Sequence, residues 1–312
     1  MEVENLTTTV TEFVLLGLTQ SPELKYLLFL VFFLVYLMTW LSNLTIIIVV
    51  ITNSHLHIPM YFFLANLAFI DINDSSVTAV KLLWDLASQT KTISFTWCII
   101  QIFLFHFTGG AGVFLLVVMA VDRYVVIHKP LHYLTIMNQG VCTGLVIGSW
   151  LGGFAHSIVQ TALIIQLPFC GPNILDNFYC DVPQVIKLAC VNTYLVELLM
   201  VSNSGLLLAF IFLILLISYS IILVKIRKHV TDGKHKALST CAVQIIGKNL
   251  IFIPEIFIYD RPFKKLSVDK IVSVTYALIT PMLNPIIYTL RNAEMKNAIW
   301  RLMRRILFSR RK

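Results

Sequence analysis

The chain has 312 residues, 58% of them hydrophobic and 13% charged, with a formal net charge of +8. Soluble domains carry about a quarter of charged residues, so this composition excludes an ordinary water-soluble enzyme or binding module and points to a bilayer resident. The Lys and Arg excess sits beside apolar runs, which makes it a matter of membrane topology rather than of nucleic-acid binding.

Residues 1–25 form a polar segment with Glu2, Glu4, Glu12 and Glu23 against one Lys25. Within it, Asn5-Leu6-Thr7 is an N-glycosylation acceptor far enough from the first apolar run for the modifying enzymes to reach. Asn43-Leu44-Thr45 and Asn73-Asp74-Ser75 share the pattern but fall inside apolar runs and are expected to stay unmodified. The first run is too long for a signal peptide and no small-residue cleavage site follows it, so the N terminus is expected to be retained.

Seven long apolar stretches follow: about Tyr26 to Ile51, Pro59 to Val80, Cys98 to Val121, Val141 to Gln166, Leu198 to Val224, Ala237 to Tyr259 and Ile271 to Leu290. Each is near or above the roughly 20 residues that cross about 30 Å of hydrocarbon. Five contain no Asp, Glu, Lys or Arg. Backbone groups in lipid must be satisfied within the segment, so these stretches are predicted helices. The fold class that follows is an all-α membrane protein, a seven-transmembrane helix bundle over residues 26–290. Fifteen of the twenty-four Lys and Arg fall on one side of it: Arg123 and Lys129, five between Lys225 and Lys236, and eight in the tail. That excess marks the cytoplasmic face, which places the N terminus outside a plasma-membrane protein. In the tail, residues 291–312, basic residues alternate with Ile299, Trp300, Leu302, Met303, Ile306 and Leu307. This is the pattern of a short amphipathic helix lying on the anionic inner leaflet of the lipid bilayer.

Ionisable residues inside the spans are few. Asp71 and Asp74 lie three apart on one face of the second span and read as bundle polarity. Arg123 carries a permanent charge at the inner mouth of the third span, where such residues are rare and usually paired. Asp122 is its nearest candidate partner, although neighbours on a helix do not face each other well. Lys248, in the sixth span, costs about 2.5 to 3.5 kcal/mol on insertion scales unless it snorkels or pairs. Glu255, two turns on, and Asp71, across the bundle, are candidate partners. Pro254, Pro281 and Pro285 each remove an intrahelical hydrogen bond and predict kinks.

Of six cysteines, Cys142 and Cys241 sit in or beside apolar spans and read as small buried hydrophobes. Cys98, Cys170, Cys180 and Cys190 face the oxidising side, where disulfides persist. Four cysteines allow three connectivities, and their positions alone do not choose.

Asp122-Arg123-Tyr124, Asn284-Pro285-Ile286-Ile287-Tyr288 and Asn43 resemble rhodopsin-like G-protein-coupled receptors. Longer runs resemble one subfamily, the odorant receptors: Pro59-Met-Tyr-Phe-Phe-Leu-Ala-Asn-Leu67, His128-Lys-Pro-Leu-His-Tyr133, Lys236-Ala-Leu-Ser-Thr-Cys241 and Pro281 to Asn292. The resemblance covers essentially the whole chain.

What that resemblance implies is specific. One disulfide joins Cys98 to Cys180 and a second joins Cys170 to Cys190, folding the second extracellular loop into a lid. The G-protein switch falls on Asp122, Arg123, Tyr124, Asn284, Pro285 and Tyr288, with Arg123 released when the sixth helix swings outward. A small apolar odorant would be lined by Phe105, His106, Gly109, Gly110, Asn203, Leu207, Phe252, Glu255, Ile256, Tyr259 and Tyr276. The partners implied are an olfactory-type stimulatory G protein that raises cAMP, and trafficking chaperones. Gly109 and Gly110 either leave room for the guest or let helices pack closely.

The chain departs from the odorant-receptor pattern at several positions. Gly112 stands where an acid is usual opposite Asp71, Val121 replaces a Tyr, His128 a Cys and Gln244 a His, and Lys248 and Asn249 replace apolar residues. Lys248 either fills the space opposite Asp71 or handicaps the fold. A weakly signalling or non-olfactory receptor of the same fold is the alternative function. A channel or transporter would show internal repeats, broken helices or charged rings, and a membrane enzyme paired acids or metal-ligand clusters. None is evident in the sequence, so no enzymatic activity, cofactor or metal is expected.

Overall fold

The computed structural model describes residues 10–88, 90–170, 172–228, 269–289 and 292–309. Asn5 and the sixth predicted span, with Cys241, Gln244, Lys248, Asn249, Phe252, Pro254, Glu255, Ile256 and Tyr259, lie outside them.

The described residues are mostly helical. The long helices are α1 (Pro22–Thr52), α2 (Pro59–Ala87), α3 (Phe95–His128) and α4 (Gln139–Ile165). Next, α5 comprises Tyr194–Met200, a π-helical segment Val201–Leu206 and Leu207–Lys228. Likewise α6 comprises Asp269–Val274, a π-helical segment Thr275–Ile279 and Thr280–Thr289, and α7 is Ala293–Ser309. Among the described residues, five stretches are long and apolar enough to cross a membrane: α1, α3, α4, Tyr194–Ser218 and Asp269–Ile287.

Several helices outrun the apolar stretches that predicted them. Proline at the first turn starts α1 at Pro22 and α2 at Pro59, where its missing N–H has no helical partner to lose. The Ser94 side chain accepts from the Trp97 N–H to start α3, and Asn138 accepts from Val141 to start α4. α2 runs beyond Val80, where Lys81 pairs with the buried Asp85 one turn on. Within the spans, hydroxyls are satisfied locally: Thr39, Ser42 and Thr45 each donate to the carbonyl four residues earlier, at 2.8, 2.7 and 2.6 Å.

Large apolar side chains such as Leu30, Phe33, Leu151 and Phe210 face outward. In water such a surface would be an association hazard, whereas in a bilayer it is the lipid face. Between α3 and α4 the backbones touch. A Cβ on Gly153 would sit 2.5 Å from both Ala111 N and Phe107 O.

The all-α expectation misses one element. Glu12–Leu15 (β1) pairs antiparallel with Thr92–Ser94 (β2) and parallel with Ile174–Leu175 (β3), making a three-stranded sheet. Phe13 and Leu15 are fully buried beneath it. The chain leaves β1 through Gly17, whose φ of 69° favours glycine. There Lys270 binds twice, donating to Gly17 O at 3.0 Å and pairing with Asp176 at 2.5 Å. N-terminal segment, loop and α6 are thus joined at one lysine.

Candidate functional site

The site grows from the middle of α3. Phe105 packs its ring against Tyr179, from the loop after α4, and Tyr276 of α6, at centroid distances of 5.5 and 5.7 Å. The two tyrosine hydroxyls hydrogen-bond each other. Tyr179 is held there by its neighbour Cys180, whose disulfide to Cys98 ties the loop to the start of α3. The Cys180 N–H donates to Gln101 Oε1 at 2.9 Å, and Gln101 Nε2 donates to Val77 O at 2.9 Å. Burial, with Asp181 beside it, raises the Tyr179 phenol and keeps it a neutral donor. The second disulfide, Cys170 to Cys190, closes the loop on itself, so both expected pairings are present.

Below this roof lies a small cavity of about 50 Å³. Phe105, His106, Gly109, Gly110 and Leu207 line it, as the sequence led one to expect, together with Asp74, His156 and Ser204, which it did not. The glycine question divides. Nothing lies within 4 Å of a Cβ on Gly109, which opens space, whereas one on Gly110 would be 3.0 Å from Gly153 Cα. Asn203 and Tyr276 contact the rim instead of the cavity: Asn203 Nδ2 meets His156 Nδ1 at 3.3 Å. Both sit in π-helical segments, a distortion frequent at functional sites and without a sequence signature here.

The polar wall is connected. The His106 and His156 rings lie 5.5 Å apart. Gln160 Nε2 donates to Ser204 Oγ at 2.5 Å, and the Thr108 hydroxyl donates to Asp74 Oδ1 at 2.9 Å. Asp74 is the residue the sequence undersold, although its place one turn above Asp71 on the bundle-facing side of α2 could have flagged it. A larger cavity of about 780 Å³, between Ile47, Phe62, Ala65 and Cys142, lies between the C-terminal end of α1 and the N-terminal ends of α2 and α4, away from this cluster.

Near the C-terminal end of α3, Asp122, the nearest candidate partner of Arg123, bonds elsewhere. The Tyr133 hydroxyl donates to Asp122 at 2.8 Å, and Arg123 reaches Met60 Sδ on α2. Adjacent positions on a helix diverge by about 100°, so each finds a partner on a different element. Tyr124 stacks on His128 at 4.1 Å.

Between the two ends, Asn284 Nδ2 lies 3.0 and 3.2 Å from the Asp71 oxygens. Pro285 has no N–H to donate to Pro281 O four residues back; Asn43 Nδ2 of α1 supplies the donor at 3.1 Å. Gly112 lies opposite Ile70, with no acid there to share Asp71. The Tyr288 backbone is helical.

Comparison with known proteins gives one answer. A family profile described as Olfactory receptor matches residues 32–306. The chain is 53% identical to Olfactory receptor 4N5 of Homo sapiens over 99% of this chain and 100% of that one. It is 56% identical to Olfactory receptor 4D1 of Homo sapiens over 97% of both, and 51% identical to Olfactory receptor 4M1 of Mus musculus over 98% of both.

Proposed function

The chain belongs to the olfactory receptor family, and on that premise we propose that it is an odorant receptor of the plasma membrane. A small volatile guest enters the cavity around Phe105, His106 and Gly109 beneath the loop roof. Its preference for one arrangement of the bundle shifts the equilibrium at Arg123, and a stimulatory G protein reads that shift as a rise in cAMP. The N terminus faces outward with Asn5 glycosylated, and α7 lies on the inner leaflet. Odorant and G protein are its partners, with trafficking chaperones assisting delivery.

The observation that carries this reading is the roofed cavity: a small pocket between bundle helices, apolar at Phe105 and Leu207 and polar at a few points, has the mixed lining of a small-molecule site. The test is an odorant panel on cells with a cAMP reporter, with Arg123→Ala as control. Ligand-evoked cAMP that Arg123→Ala removes at unchanged surface expression supports the proposal. Silence across a broad panel at normal expression would favour the alternative, a weakly signalling or non-olfactory receptor. Ion flux without ligand would overturn both.

A further inference from the structure

We propose that the cavity selects a compact primary amine, with Asp74 as the counter-charge of its ammonium group. The inference rests on the odorant-receptor reading for its setting, but not for its chemistry.

Asp74 lines the cavity and is half-buried. Among the described residues it has one hydrogen bond, from the Thr108 hydroxyl, and no Lys or Arg within ion-pair distance. A carboxylate at this depth is costly unless paired, and acidic residues kept inside spans mark sites whose partner needs naming. The rest of the polar lining is uncharged at neutral pH apart from the titratable His106 and His156. Those two imidazoles pack against each other, His106 buried and His156 half-buried, and the Asn203 amide already meets His156 Nδ1. Ser204 accepts from Gln160, which leaves it one proton to donate. Among the described residues, the formal charge that a guest meets is therefore the Asp74 carboxylate, and its complement is a cation with N–H donors.

Size narrows the class. About 50 Å³ is the room of a few water molecules, so the guest is compact unless the walls move. A short-chain primary amine fits: its ammonium faces Asp74 while its alkyl group lies against Phe105, Val113 and Leu207. Neutral alcohols of the same size would satisfy the hydroxyl and imidazole groups but leave the carboxylate uncompensated.

The test compares butylamine with butanol on purified receptor in nanodiscs, read by the shift in thermal unfolding midpoint, and separately on cells with a cAMP reporter. The wild type should bind butylamine at least about thirtyfold more tightly than butanol, the scale set by a buried charge pair. Asp74→Asn should abolish that preference while keeping butanol binding, and Asp74→Glu should restore part of it. Equal affinities in the wild type, or an amine preference that survives in Asp74→Asn, would overturn the inference. So would loss of both ligands together in Asp74→Asn. Amine binding without cAMP would sink the signalling proposal and leave the amine site standing. Odorant-evoked cAMP without amine preference would do the reverse.

Discussion

Gly153→Ala is a sharp test of how α3 and α4 are held, because the same substitution elsewhere on α4 should have the opposite sign. A Cβ at Gly153 would meet Ala111 N and Phe107 O at 2.5 Å and Ala111 Cα at 3.0 Å, where ordinary contact begins at 3.4 Å. These are backbone atoms of α3, so no side chain can rotate away, and the helices must part by most of an ångström. Overpacking of this kind costs about 1–3 kcal/mol, which exceeds the roughly 0.5–1 kcal/mol that alanine gains over glycine in a helix interior. At Gly144 and Gly148, also on α4, nothing lies within 4 Å of the built Cβ. There the propensity gain stands alone. Unfolding of purified receptor in nanodiscs should therefore show Gly153→Ala destabilised and Gly148→Ala unchanged or stabilised, a spread of about 2 kcal/mol. Variants that unfold together would refute close packing at this crossing. Parting should also disturb ligand response, because Gly110 packs on Gly153 at the cavity wall.

Three further outcomes follow from single residues. Asn43→Ala removes the donor that Pro285 cannot supply to Pro281 O; leaving that buried carbonyl bare should cost about 1–3 kcal/mol of unfolding free energy, and a change under about 0.5 kcal/mol would contradict the role. Burial, reinforced by Asp269 and opposed by Lys187, raises the Asp181 carboxyl to about 7. The folded state then holds this proton more tightly than the unfolded chain, whose Asp titrates near 3.9. That contribution is complete below about pH 4 and lost as pH rises to about 7, with a ceiling of about 4 kcal/mol. Melting midpoints at about pH 5 and pH 8 should differ in the wild type and much less in Asp181→Asn; equal slopes would remove Asp181 as the cause. Asn5→Gln should abolish a glycosidase-sensitive band shift if the N terminus is outside, and an unshifted wild type would argue against that orientation.

Much of the architecture is legible because the bilayer imposes a one-dimensional rule: twenty apolar residues make a span, whatever their neighbours. The disulfide pairs could be named only through resemblance, since loop spacing permits three connectivities. The small sheet escapes notice because β1 is four residues of an acidic segment, and its partners Ile93 and Ile174 are 80 and 160 positions away from Phe13 and Val14 respectively. Nothing local in Glu12–Leu15 encodes that pairing. The π-helical turns that set Asn203 and Tyr276 are invisible for a related reason. Each is an insertion of one residue's register into a helix, and neither Val201–Leu206 nor Thr275–Ile279 carries a proline or a charge that would announce it. Conversely, Asn43 was legible as a motif but not as a physical necessity; only the missing N–H of Pro285 gives its amide a task.

The placement of polar groups along α2 bears on how the cavity and the Arg123 end of the bundle are related. Asp74 holds Thr108 of α3, Asp71 one turn below holds Asn284 of α6, and Tyr61 near the inner end reaches Asn292 and Glu294 beside α7 at 3.0 and 2.9 Å. Arg123 touches the same helix through Met60. A helix has little axial compliance over such distances. A guest that draws Asp74 into the cavity therefore competes with Thr108 for one carboxylate while the next carboxylate, three residues down, fixes Asn284 beside Pro285. Contact alone does not transmit a signal: a guest must prefer one of two arrangements. The weak point of this column is the bent segment at Pro281 and Pro285, where Asn43 and Asn284 each supply side-chain hydrogen bonds around a backbone that cannot complete its own ladder.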